Sequence, residues 1–161
     1  MIIKNFYMDV LKDYEGNLDV FFDSKTGAVF EPGREDGTPK FLFTEVTGYA
    51  ILDDLTLHSL TGDKHYLEKA HKSAEWIAEH AQDPCGGVLT RFYFEQDADA
   101  DLIDKSFTGR RIFSFDTAIC LRGVVALYQS SGKASLLKCA VRMGDYLLDR
   151  VITPEGVMKS P

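Results

Sequence analysis

Two acidic residues stand where apolar helical stretches begin: Glu45, just ahead of Val46-Thr47-Gly48-Tyr49-Ala50-Ile51-Leu52, and Asp116, just ahead of Thr117-Ala118-Ile119-Cys120-Leu121. Two carboxylates held in one cavity can divide general acid and general base work when their surroundings push their pKa values apart. An acidic residue in the first turn of a helix is also favoured by the unpaired N–H groups and the helix dipole, so each position has a structural account as well. Between the two lie Arg91-Phe92-Tyr93-Phe94 and Arg110-Arg111-Ile112-Phe113. Arginine offers bidentate contacts to a carboxylate. The alternation in these segments is equally that of a β-hairpin with ion pairs to Glu95 or Asp104, and this simpler account covers most of them.

Other reactive residue types form no legible site. Asp97-Ala98-Asp99-Ala100-Asp101 begins like a calcium loop, but Leu102 stands where the sharp turn needs glycine, and Thr108 where the bidentate glutamate belongs, so a solvated acidic turn is the better reading. His58, His65, His71 and His80 are scattered without metal-ligand spacing, and His71, Glu75 and Glu79 line one wet helical face. Cys85, Cys120 and Cys139 are an odd number without CxxC spacing, as expected of reduced thiols. No metal and no cofactor is expected. Asp53-Asp54 sits midway along an apolar helix, where one carboxylate needs a partner; Arg122 on the next helix of the same type is the candidate.

The elements that must position these residues repeat. Laying Gly62 on Gly132 gives an offset of 70 residues, under which Thr47 falls on Thr117, Leu57 on Leu127, Leu67 on Leu137, Ala70 on Ala140, Trp76 on Tyr146 and Gly86 on Gly156. Each copy, about 44–88 and 114–158, pairs a helix that is apolar nearly all round with one that keeps a single stripe. The stripes are Tyr66/Leu67, Ala70, Ala74, Ile77, Ala81 and Leu136/Leu137, Ala140, Gly144, Leu147/Leu148, Val151. Inner buried helices and outer amphipathic ones follow. A glycine-led segment closes each copy. A third such segment, Ser24 to Phe30, follows an expected helix from about Ile2 to Tyr14 and a strand from Asp19 to Phe22, and Glu31 to Lys40 is a turn-rich linker. The 161 residues, 45% hydrophobic, suffice for one domain with a real core. Eighteen Lys and Arg against 25 Asp and Glu give a net charge of −7, which repels phosphate backbones, so nucleic acid is not an expected partner. With no apolar run of membrane-spanning length and no signal-type start, a membrane is not expected either, and the chain reads as cytoplasmic.

Glu45-Val46-Thr47-Gly48-Tyr49-Ala50, Thr61-Gly62-Asp63-Lys64-His65-Tyr66-Leu67, Gly86-Gly87-Val88 and Phe115-Asp116-Thr117-Ala118 resemble segments of the six-hairpin (α/α) toroid enzymes: glycoside hydrolases, unsaturated glucuronyl hydrolases and N-acylglucosamine epimerases. The resemblance covers Phe43 to Met158. It implies an all-α fold of repeated αα-hairpins with short β-hairpin loops, of which this chain holds about five helices. Three arrangements stay open: part of a longer toroid, a half-ring closed by a second copy of the chain, or an open solenoid. In a toroid the heads of the inner helices line one mouth, so Glu45 and Asp116 become the catalytic candidates for cleaving a glycosidic bond. Tyr49, Arg91, Tyr93 and Arg111 are then expected to shape the pocket, with a saccharide, acidic if the arginines bind it, as partner. The scattered histidines weigh against an epimerase. A non-catalytic helical-repeat module that binds a saccharide or a protein is the other reading.

Overall fold

Glycine decides where each inner helix stops. In the computed structural model, which describes residues 20–30, 41–93 and 111–157, α1 (Thr44–Thr61) ends at Gly62 with φ 75°, and the Gly62 N–H returns to the carbonyl of His58. A left-handed residue at this place costs nothing only when it has no Cβ. Asp63 then caps α2 (Lys64–Trp76) by accepting from the His65 N–H. In the second copy α3 (Ser114–Ser131) likewise ends at Gly132 with φ 67°, and α4 (Ala134–Tyr146) follows without a side-chain cap at Lys133. Both outer helices widen into a π-helical turn, Ile77–Ala81 and Leu147–Val151, where the N–H groups of Gln82 and Ile152 reach back five residues.

The amphipathic stripes are the buried faces. Tyr66, Ala70, Ala74, Ile77 and Ala81 pack inward from the first outer helix, and Leu136, Ala140 and Val151 from the second, while Leu137 and Leu148 stay exposed. The inner helices α1 and α3 lie against each other, and each carries its own outer helix. Their crossing is close because Gly48 and Gly123 face it. A Cβ on Gly123 would sit 2.7 Å from the Gly48 carbonyl oxygen, and one on Gly48 would sit 3.1 Å from Cys120.

A three-stranded antiparallel sheet, β1 (Val29–Phe30), β2 (Phe41–Phe43) and β3 (Arg91–Tyr93) in that order, adjoins the head of α1. The strand Arg91–Tyr93 pairs with β2, placing Arg91 opposite Phe43 and Tyr93 opposite Phe41. Just ahead of it the antiparallel Leu89–Ile112 bridge and the Thr90 N–H bond to the Arg111 carbonyl join the two arms of the expected hairpin, whose residues 94–110 lie outside the described ones. The register turns Phe92 to the core, its ring edge-on to Trp76. Around Phe22 a single bridge to Val29 stands in place of a strand, followed by the Asp23–Gly27 turn. The expected helix near Ile2–Tyr14, the linker Glu31–Lys40 and the acidic turn Asp97–Asp104 lie outside the described residues.

Overpacking at the crossing sets the first prediction. Gly123→Ala is expected to destabilise the fold by about 1–3 kcal/mol, whereas Gly144→Ala, whose Cβ meets open space, is expected to stabilise it by up to about 1 kcal/mol. Urea unfolding of the two variants reads the contrast.

Candidate functional site

Each inner helix is fixed at its head by a threonine. The Thr47 hydroxyl donates to the Phe43 carbonyl at 2.6 Å and accepts the Val29 N–H at 2.9 Å. One repeat later the Thr117 hydroxyl donates to the Phe113 carbonyl at 3.1 Å and accepts the Val88 N–H at 3.1 Å. Each glycine-led segment is thereby tied to the first turn of the inner helix that follows, and the second of them leaves the outer helix α2. Both threonines are fully buried.

Glu45 and Asp116 stand beside these anchors, and Glu45 feels the charge of Asp116. Asp116 is 4% exposed, and burial pushes its carboxyl above the usual range; the neighbouring Thr90 hydroxyl, the Arg91 guanidinium and its own backbone pull the other way. Glu45 is half-buried, and its carboxyl is raised first by burial and then by the charge of Asp116. The two groups differ in their neighbours: Asp116 has a cation at hand, Glu45 an anion. Arg91 is itself held over the ring of Phe41 at 4.5 Å and near that of Phe43 at 5.8 Å, both on β2.

Of the six residues expected at the site, Glu45, Asp116 and Arg91 come together. Tyr49 lies one turn along α1 and lines a different cavity of about 310 Å³, with Phe22, Val29, Val46, Ala50, Asp53, Asp54 and Lys69. Arg111 is exposed, its backbone carbonyl bonded to Thr90, and Tyr93 occupies the last position of β3. The expected pairing of Arg122 with the acidic pair is corrected. Asp54 is buried and its partner is Lys69 of α2, at 3.5 Å, because Lys69 lies on the inward stripe between Tyr66 and Ser73. Arg122 is exposed and faces the far halves of the inner helices with Leu52, Leu55 and Ala126. Lysine on a buried stripe was the available signal. Thr44 and Thr90, which also border the site, carried none, since a lone threonine reads as neutral. Among the described residues no three His, Cys, Asp or Glu side chains are placed to hold a metal ion, and no helix is long and apolar enough to cross a membrane.

No protein-family model matches the chain, and no curated protein matches it. Solved structures do. A sugar epimerase from a ruminal bacterium superposes with a TM-score of 0.71 at 18% identity, over 94% of this chain and 38% of the epimerase. A GH76 alpha-mannanase of Bacteroides thetaiotaomicron superposes with a TM-score of 0.70 at 15% identity, over 96% of this chain and 41% of the mannanase. Likeness at such identities establishes architecture. The fold is that of stacked αα-hairpins as in the (α/α) toroids, and the chain spans less than half the length of either of these neighbours.

Proposed function

We propose that this chain supplies the catalytic heads of a carbohydrate-active toroid that hydrolyses glycosidic bonds, with Glu45 as general acid and Asp116 as general base. The observation that carries the reading is a buried carboxyl and a half-buried one, on the heads of adjacent inner helices, each raised in pKa and electrostatically coupled. Their neighbours assign the roles. Burial favours the protonated form of both; the Arg91 charge opposes this at Asp116, whereas the charge of Asp116 adds to it at Glu45. One protonated and one ionised carboxyl are what cleavage of a glycosidic bond requires. The two carbohydrate-active neighbours support a saccharide as substrate. Further hairpins, from the same polypeptide or from a second copy, would complete the cavity. A non-catalytic binding module is the second reading, and the apolar surface left open on both inner helices, Phe115 at 55% exposure and Tyr49 at 37%, favours it.

Two measurements follow. On a panel of aryl glycosides, the double replacement Glu45→Gln, Asp116→Asn is expected to lower the rate of whichever glycoside turns over by about 100-fold or more; an unchanged rate removes the catalytic role and leaves the module. The second concerns stability. A carboxyl whose pKa is raised in the folded state makes the fold take up protons, so stability is gained as pH falls and lost as pH rises through the folded pKa. At pH 7 the ionised Asp116 is therefore a cost. Asp116→Asn is expected to melt above the parent chain at pH 7, with the gap closing as pH falls into the carboxylate range; a variant that melts lower at pH 7 would mean that the pairing with Arg91 outweighs burial.

A further inference from the structure

Helix α4 carries two apolar faces. Leu136, Cys139, Ala140 and Met143 are buried against the core, whereas Leu137, Val141 and Leu148 on the other face are 42%, 50% and 63% exposed. Gly144 stands between the last two, and a Cβ there would meet open space. Leu137, Val141, Gly144 and Leu148 are spaced by 4, 3 and 4 residues, the alternation of a coiled-coil seam. The first repeat shows how the fold treats this face. Under the 70-residue offset the four correspond to Leu67, His71, Ala74 and Ala78. Ala74 is fully buried, Leu67 and Ala78 pack on the core, and Lys133 reaches across to Glu75 beside them. In the second repeat the face is open, yet it is more apolar, with Val141 in place of His71 and Leu148 in place of Ala78. An exposed stripe of large apolar side chains marks a surface that another chain covers.

The charges beside the seam indicate which chain. Lys138 and Asp145 each follow a seam residue directly, so both lie along the same rim, and both are exposed. We propose that α4 is a dimer interface in which the seams of two copies of this chain pack antiparallel about a two-fold axis. Leu137 then layers on Leu148 of the partner subunit, and Val141 on Gly144 of the partner subunit, where the missing side chain leaves room. Lys138 meets Asp145 of the partner subunit, and the axis repeats the pair. Parallel pairing would set this rim against the opposite one, Ala140 and Leu147, and leave both charges facing apolar residues. The contact is isologous, the same patch on both subunits, so it closes at two copies with no seam left over. A further αα-hairpin laid on this face, as α3 lies on α2, would have to bring its own cation for Asp145. A second α4 already carries it. The interface does not depend on the acid–base work proposed for Glu45 and Asp116.

Sedimentation equilibrium of the full chain over about a hundredfold range of concentration reads the assembly. A mass rising from 18.0 kDa to twice that value is expected; a monomer throughout overturns the proposal, and so does growth past two copies, since a two-fold contact closes. Val141→Glu and Leu148→Glu are each expected to weaken the dimer by about 100-fold or more, because each places two carboxylates, one from each subunit, in the seam. Both positions are exposed in the single chain, so the circular dichroism spectrum and the melting temperature at the lowest concentration are expected to match the parent. Variants that remain dimeric put the contact elsewhere and overturn it. The charges test the direction of pairing. Lys138→Glu and Asp145→Lys are each expected to weaken the dimer by about 10-fold, and the two together in one chain to restore it. A double variant weaker than either single one overturns the antiparallel arrangement.

Discussion

The threonine hydroxyl at the head of each inner helix is the interaction on which the rest of the structure hangs. Thr47 and Thr117 each donate to their own helix's capping carbonyl and accept an N–H from a glycine-led segment, Val29 for the first and Val88 for the second. No side chain caps either helix from the Ncap position itself, so the hydroxyl serves two structural ends at once: it closes the first turn, and it pairs a buried N–H that would otherwise cost about 1–3 kcal/mol. Because the arriving segments lead into the strands that flank the helix heads, fixing them also fixes where Glu45, Asp116 and Arg91 stand. The glycine contact between α1 and α3 sets the remaining degree of freedom, the separation of the two heads.

The frame repeats and the chemistry does not. Under the 70-residue offset Glu45 corresponds to Phe115, and Asp116 to Val46. The buried pair Asp54 and Lys69 corresponds to Val124 and Cys139, which are also buried. One copy thus fills a core position with an ion pair and the other fills the same position with apolar side chains, an exchange that costs little when volume and pairing are kept. Gly123, needed for the close crossing, corresponds to Asp53, which lines the cavity beside Tyr49. That flank of α1 therefore could not receive another helix at the distance that α3 keeps.

The repeat was legible because turn glycines and stripe periodicity are local. Gly62 and Gly132 ended helices where expected, and Tyr66, Ala70, Ala74, Ile77 and Ala81 were buried as their spacing implied. The partners across space were less so. Arg122 looked able to meet Asp54, and only the rotation of α2 on α1 decides for Lys69 instead. Likewise Arg91-Phe92-Tyr93 announced a strand but not which strand it would join; the docking of Phe92 on Trp76 settled that. That Glu45 and Asp116 open inner helices was legible from where the apolar runs begin. The threonines beside them were not, since the neighbours of a buried hydroxyl are visible only once everything around it is placed.

The small sheet gains its meaning from this site. Pairing β3 with β2 puts Arg91 opposite Phe43 and within reach of the Phe41 ring, so the guanidinium lies along an aromatic surface in place of water. A cation held this way keeps its charge and loses freedom, which makes it a fixed field for a neighbouring acid. Asp116 needs such a field. Burial raises the deeply buried Asp116 and the half-buried Glu45 in the same direction, and two acids that both keep their protons cannot share acid and base work. Under the proposed mechanism the Arg91 charge opposes that rise at Asp116, and the place of Arg91 is decided by strand register. In that proposal the sheet is what separates the two carboxyls into an acid and a base.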